Sequence, residues 1–195
     1  MINRLSRRYP RIVFNATITT GNALLQQLRN RDIELGFDPL SEPVGDEDID
    51  MEAVHEQPLV VVAGIENPWL RRRKIRLADL VNEPWTWPPP GSRYDTLIAE
   101  AFRADGLRPP RPAVYTHAIN LRISLAATGR FLTVVPDSAV SIPSKYPSIR
   151  KLPVVRPTTR QGIHLVTLKK RTLSPLAQRF IDCAREIAKP RAKGK

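Results

Sequence analysis

The chain has 195 residues, 42% of them hydrophobic and 26% charged, with a formal net charge of +12 and a single cysteine. This length allows one large domain or two small ones, each with a real core. The composition excludes a disulfide framework, and no apolar run approaches the roughly 20 residues of a membrane-spanning helix.

No apolar h-region follows Met1, so no signal peptide is visible, and together with the lone cysteine this points to the cytoplasm. Ile2, Leu5, Ser6 and Tyr9 share one helical face, and Tyr9-Pro10 ends that helix. Arg11 to Thr17 alternates like a strand, with Ile12, Phe14 and Ala16 on one side. A helix from Gly21 to Arg29 buries Leu24, Leu25 and Leu28, and Ile33 to Phe37 is the next strand. Strand, helix, strand predicts a βαβ unit with a parallel pair and a right-handed crossover.

Ser41 to Glu56 is acidic and reads as a surface loop. The β-branched run from Pro58 to Gly64 reads as a buried strand. Arg76 to Pro84 is a short helix, and Trp85 to Ser92 an extended segment ending in a rigid turn. Ser92 with Asp95 forms a capping-box pattern opening a helix over Arg93–Asp105, which Gly106 ends. A strand at Pro112–Thr116 leads to a helix closed by Gly129. Phe131 to Pro136 is a buried strand, after which Asp137 caps a short helix. Further strands follow at Ile149–Val155 and Gly162–Leu168. Ser174-Pro175 opens the last helix, expected to bury Leu176, Phe180, Cys183, Ala184 and Ile187. Alternating strands and helices make the class α/β. The apolar strands Leu59–Gly64 and Ile163–Leu168 could be crossings between two subdomains.

Nine of the twelve net charges sit in two clusters, one at Arg71, Arg72, Arg73, Lys74 and Arg76, the other at Lys189, Arg191, Lys193 and Lys195. Both read as solvated surface, and neither interleaves with aromatics for base stacking. No nucleophile elbow, zinc-ligand pair, C-x-x-C or phosphate-binding glycine loop is present. His55, His117 and His164 are scattered, with no ligand partner at metal-site spacing. Cys183 lies on an apolar helix face and reads as core. No enzyme, cofactor or metal is expected.

Three polar strand-to-helix turns remain: Thr19-Thr20-Gly21-Asn22, Pro90-Gly91-Ser92-Arg93, and Thr116-His117-Ala118-Ile119-Asn120. In an open parallel sheet the strand C-termini share one edge, where ligands bind. Helix N-termini there offer free amides and a partial positive charge that suits a carboxylate. Each turn, taken singly, reads more simply as a helix cap, and three in one α/β chain without competing chemistry point to a small-molecule cleft. Trp85, Thr86 and Trp87 either line such a cleft or pack beneath it.

Three segments together resemble the effector-binding region of LysR-type transcriptional regulators. They are "RLSRRYPRIVFNATITTGNALLQQLRNRDIELGF", "EQPLVVVAGIENPWL" and "GLRPPRPAVYTHAINLRISLAATGRFLTVVPDSAV", spread from Arg4 to Val140. The resemblance implies two Rossmann-like subdomains joined by two crossover strands, like type 2 periplasmic binding proteins. Residues 1–63 with 163–195 would form the first, and 64–162 the second. A small, carboxylate-bearing effector would bind between them without turnover. By position the contacts would be Thr19, Thr20, Gly21 and Asn22, then Gly91, Ser92 and Arg93, then Thr116, His117 and Asn120. The chain starts after the family's first strand and shows neither its winged helix-turn-helix nor its linker helix, so no specific DNA binding is expected of it alone. Arg130-Phe131 replaces the family's small or apolar pair after Gly129. A homodimer, or a heterodimer with a full-length regulator, is the expected assembly. The alternatives are an orphan interaction module and a solute-binding protein.

Overall fold

The protein's structure, a computed structural model, describes residues 1–19, 21–38, 47–141, 146–155 and 159–188. The chain divides into two compact units, Met1–Glu56 with Gly162–Lys195, and Gln57–Gln161.

The first unit contains α1 (Ile2–Arg8), α2 (Gly21–Arg29), β1 (Gly36–Asp38), the first half of β2 (Ile49–Gly64), most of β7 (Arg160–Leu168) and α7 (Pro175–Ala188). Leu24, Leu25 and Leu28 of α2 recur at helical spacing and pack with Ile49 and Val166 into one core. β1 pairs antiparallel with β7, from Gly36 opposite Val166 to Asp38 opposite His164. A Cβ on Gly36 would lie 2.4 Å from a Leu24 methyl, so a larger residue there would make the Leu24 side chain shift. Ser174 starts α7 as expected, its hydroxyl accepting from the Ala177 amide at 3.1 Å. Glu34 in turn accepts from both the amide and the hydroxyl of Ser174, each at 2.9 Å.

Several expectations for this unit are corrected. Residues 11–17 form no strand. Their alternation holds only for Ile12 and Phe14, which are half-buried around Val13 at 93% exposed; Ala16 is exposed, and no neighbouring strand among the described residues completes a ladder. The parallel pair expected around α2 is therefore absent, and β1 finds an antiparallel partner 128 residues later, at His164–Val166. Residues 49–56 are strand, not loop, because β7 lies beside β2 in the sheet and supplies its partner, despite the acidic residues along it. Residues 39–46 of that expected loop lie outside the described residues. In α7 the buried residues are Ala177, Ile181, Cys183 and Ala184, whereas Leu176 and Ile187 are exposed. The buried stripe is narrower and rotated from the one the larger side chains suggested.

In the second unit, β2 pairs antiparallel with β5 (Thr133–Pro136), from Leu59 opposite Pro136 to Val62 opposite Thr133. It also pairs antiparallel with β6 (Ile149–Lys151). β3 (Thr86–Trp87) and β4 (Val114–Tyr115) form a parallel pair. The bridge Trp85–Leu132 is also parallel, so β3 and β5 run the same way. The core on one side joins α3 (Leu77–Leu80) and α4 (Arg93–Ala104) to the strands through Ile75, Leu80, Trp85, Trp87, Ile98 and Phe102. A second core packs α5 (Ile119–Ala127) on Val62, Val135 and Ile149. Trp85 and Trp87 are thus core residues, meeting edge to face at 5.6 Å. The basic run Arg71–Lys74 is exposed, as expected. Asp137 does not cap α6 (Asp137–Val140). It is the first helical residue, and its carboxylate pairs with Lys151.

Gly64 lets β2 touch the end of α5. A Cβ there would lie 2.6 Å from the Ala126 carbonyl oxygen, 2.7 Å from the Gly129 nitrogen and 2.9 Å from the Ala127 carbonyl oxygen. All three are backbone atoms and cannot rotate away. Gly64→Ala is expected to destabilise the protein by roughly 1–3 kcal/mol, read as a lower urea midpoint.

In the first unit Arg185 donates to both oxygens of Glu52, at 2.9 and 2.6 Å. That hydrogen bonding holds the Glu52 carboxyl below its ordinary value of 4.5. The pair's contribution is complete above the ordinary glutamate value and is lost as pH falls through the lowered one. Both side chains are over a third exposed, 46% for Arg185 and 40% for Glu52, so screening limits the pair to about 0.5 kcal/mol. Urea unfolding should show Glu52→Gln less stable by that amount at neutral pH, with the difference vanishing as pH falls below the lowered value.

Candidate functional site

The second unit brings two of the three polar turns together. β3 and β4 are parallel, and beyond Trp87 opposite Tyr115 the Thr116 amide donates to the Trp87 carbonyl at 2.9 Å. The turn at Pro88–Ser92 and the turn at Thr116–Ala118 therefore leave the same end of adjacent strands. β5 runs parallel to β3, so its Pro136 end lies at that edge too. Gly91, Ser92, Arg93, Thr116, His117 and Asn120 are gathered there by topology.

Local chemistry fixes the first of these turns. Gly91 sits at φ +75°, a left-handed conformation that disfavours a side chain. The Ser92 hydroxyl accepts from the Asp95 amide at 3.3 Å and caps α4. The Asp95 carboxylate does not return to the Ser92 amide as a capping box would. One oxygen accepts from the Gly91 amide at 2.8 Å and the other from the Trp87 indole at 2.9 Å. Turn, strand and helix are thereby tied by a single carboxylate. In the other turn the Thr116 hydroxyl accepts from the Ala118 amide at 3.1 Å, and the N-cap of α5 is Ala118, with no side-chain cap. Gly91, His117 and Asn120 are exposed, and the Asn120 oxygen accepts from the Tyr146 hydroxyl at 3.1 Å.

The remaining candidates belong to the first unit. Thr19 is half-buried, Gly21 opens α2 at φ +47°, and Asn22 is exposed. Thr20 lies outside the described residues.

Three residues at the edge in the second unit escaped the sequence reading. Arg122 of α5 is 3% exposed. Its Nη1 donates to the Val134 carbonyl at 3.1 Å, and its Nε is buried without a partner. Burial lowers its pKa, opposed by Tyr94 in the first turn of α4. Gln57 and Gln161 are 8% and 1% exposed, each two residues from the hydrogen bond between the Leu59 amide and the Thr159 carbonyl. The Gln57 Oε1 and both amide atoms of Gln161 have no hydrogen-bond partner. Leu59 faces Pro136, the last residue of β5, so Gln57 lies just past that strand's end, at the same edge. Buried polar atoms are nearly always paired, so a concentration of unpaired ones calls for an explanation. Arg122 left one signal, the single charged residue in the mostly apolar run from Ile119 to Ala127. The two glutamines left none.

Known cavities do not coincide with the turns in a simple way. One of about 110 Å³ lies against Leu59, Leu77, Ile98, Phe102, Val134 and Leu152 and is an apolar gap in the core. Another, about 180 Å³, runs along α5 from Asn120 to Ala127 beneath Tyr146. No group of metal-ligating side chains occurs among the described residues, and no described helix is long and apolar enough to cross a membrane.

Polar turns and buried donors without a partner among the described residues thus stand together at the strand-end edge of this α/β unit, the edge at which open α/β sheets hold ligands. Residues 1–189 match the LysR substrate binding domain family, and the chain belongs to that family. It is 24% identical over 186 residues to the HTH-type transcriptional regulator GbpR of Azospirillum brasilense, covering 95% of this chain and 54% of that protein. The chain spans about half the length of the curated relatives it matches along most of its own length. The CcmR regulatory domain of Synechocystis PCC6803, in complex with 2-PG, superposes with a TM-score of 0.77 at 19% identity, over 97% of this chain and 90% of that one. The effector-binding domain of QuiR, in complex with shikimate, gives 0.75 at 20% identity, over 96% and 88%. The fold is α/β, of the LysR effector-binding, type 2 periplasmic-binding-protein-like kind.

Asp95→Ala would leave the indole N–H of Trp87, which is 2% exposed, without its acceptor. A loss of about 1–3 kcal/mol is expected, measured by urea unfolding followed through tryptophan fluorescence.

Proposed function

We propose that this chain is the effector-sensing part of a LysR-type transcriptional regulator and that it binds a small, carboxylate-bearing molecule without converting it. The units correspond, in this reading, to two effector-binding subdomains, residues 1–63 with 163–195 and residues 64–162. The protein works in the cytoplasm as a dimer with itself or with a full-length regulator.

One observation carries the reading. The parallel pairing of β3 with β4 sets the Ser92 and Thr116 turns side by side at one strand end. Ligands of open α/β sheets bind at such edges. The relatives support it, since CcmR and QuiR each hold a small molecule in the corresponding domain. Gly91, Ser92, Arg93, Thr116, His117 and Asn120 are the contacts offered by the second subdomain. Thr19, Thr20, Gly21 and Asn22 are those of the first.

A thermal-shift screen of the purified chain against small aliphatic and aromatic acids tests this. A bound acid at a hundred times its dissociation constant adds about 2.7 kcal/mol, a shift of several degrees that grows with concentration. The expected outcome is at least one such acid. A flat midpoint across the whole panel overturns effector sensing by this chain.

A further inference from the structure

Arg122 carries a charge that its surroundings leave unanswered. It is 3% exposed, and among the described residues no carboxylate pairs with it. Its hydrogen bond from Nη1 to the Val134 carbonyl has a local cause. The Thr86 amide donates to the Leu132 carbonyl at 2.9 Å, as parallel strands require. Two residues on, the amide that should serve Val134 belongs to Pro88, and proline has none. The Arg122 guanidinium fills that gap. This places it where β3 ends and the Ser92 turn begins, in agreement with the electrostatic influence of Tyr94.

Filling the gap needs a donor but not a cation, and a glutamine amide would do. A buried charge without a partner is strongly unfavourable. Its Nε points no hydrogen at any protein acceptor. Arg93, the first residue of α4, likewise keeps a buried Nε without a partner. Arginine presents a fork of donors suited to two oxygens at once.

We propose that Arg122 anchors a small oxyanion, a carboxylate or phosphate group, at the strand-end edge of β3, β4 and β5. This rests on the reading of that edge as ligand-facing and adds the residue that would select for negative charge. The exposed run Arg71–Lys74 does not enter the proposal, because selectivity comes from desolvated donors and not from net charge.

The test uses the whole chain, labelled with nitrogen-15, titrated separately with inorganic phosphate and with benzoate, with chloride holding ionic strength constant. The Arg122 Nε–H resonance is assigned by its absence from Arg122→Lys. A saturable shift of that resonance is expected with at least one anion, and the responding anion tells phosphate from carboxylate. Arg122→Gln should weaken that binding about tenfold or more, while Arg130→Gln, at an exposed arginine, leaves it unchanged. A resonance that neither anion moves overturns the proposal, and so does equal binding by Arg122→Gln. If Arg122→Gln does not fold, the resonance in the unaltered protein decides alone. The two readings fail separately. An organic acid that binds while Arg122 stays silent sinks only this inference. Phosphate that moves Arg122 while every organic acid fails sinks only the effector reading.

Discussion

The second unit depends on the parallel alignment of β3 with its two neighbours. That alignment is made by few bonds: Thr116 to Trp87 and Ala113 to Trp85 on one side, Thr86 to Leu132 on the other. Two-residue strands cannot hold such a register by backbone alone. The register is held from below, where Trp85, Trp87 and Phe102 pack with ring centroids 5.6–5.9 Å apart. Aromatic contacts of this kind add to the burial of their large surfaces. The indole nitrogens then reach outward, Trp85 to the Leu80 carbonyl and Trp87 to Asp95. The same aromatic group therefore positions both the sheet and the turn above it.

Proline 88 gives this edge its character. Strands that end in proline leave an unserved carbonyl on the neighbour. Here that carbonyl is Val134, and the replacement donor brings a positive charge into a site with little solvent. The chain's net charge of +12 suggests nucleic acid at first sight. Yet the exposed arginines are the less informative ones, since water and salt screen them. One desolvated guanidinium says more about recognition than a run of four solvated cations.

The sequence showed helices better than strands, for a physical reason. Helix signals are local: Ser92 and Ser174 both cap as their spacing indicates, and the leucines of α2 face the core. Strand identity depends on a partner that the local sequence does not contain. Arg11 to Thr17 alternates as far as Phe14 and forms no ladder, while Ile49 to Glu56 looks acidic and loop-like and is strand because a partner, β7, exists. The same limit applies to the site. The Gly91–Ser92 and Thr116–His117 turns were legible because glycine and capping residues announce themselves. Arg122 was not, because only tertiary structure shows that a cation on α5 points at a strand whose neighbour lacks an amide.

Capping and recognition are not rival roles for these turns. Ser92 and Thr116 both spend their hydroxyl oxygens on amides of their own segments. A hydroxyl used in this way stiffens the turn and leaves fewer groups to greet a ligand. What the turns then contribute is fixed backbone, shaped by Gly91 at φ +75° and by the bare N-cap Ala118. Specific attraction has to come from groups with bonding capacity still unused. At this edge those are Arg122, Arg93, Gln57 and Gln161, each with a buried atom lacking a partner. In the proposed reading the division of labour follows from hydrogen-bond supply: satisfied groups set the geometry, and unsatisfied ones would supply the binding.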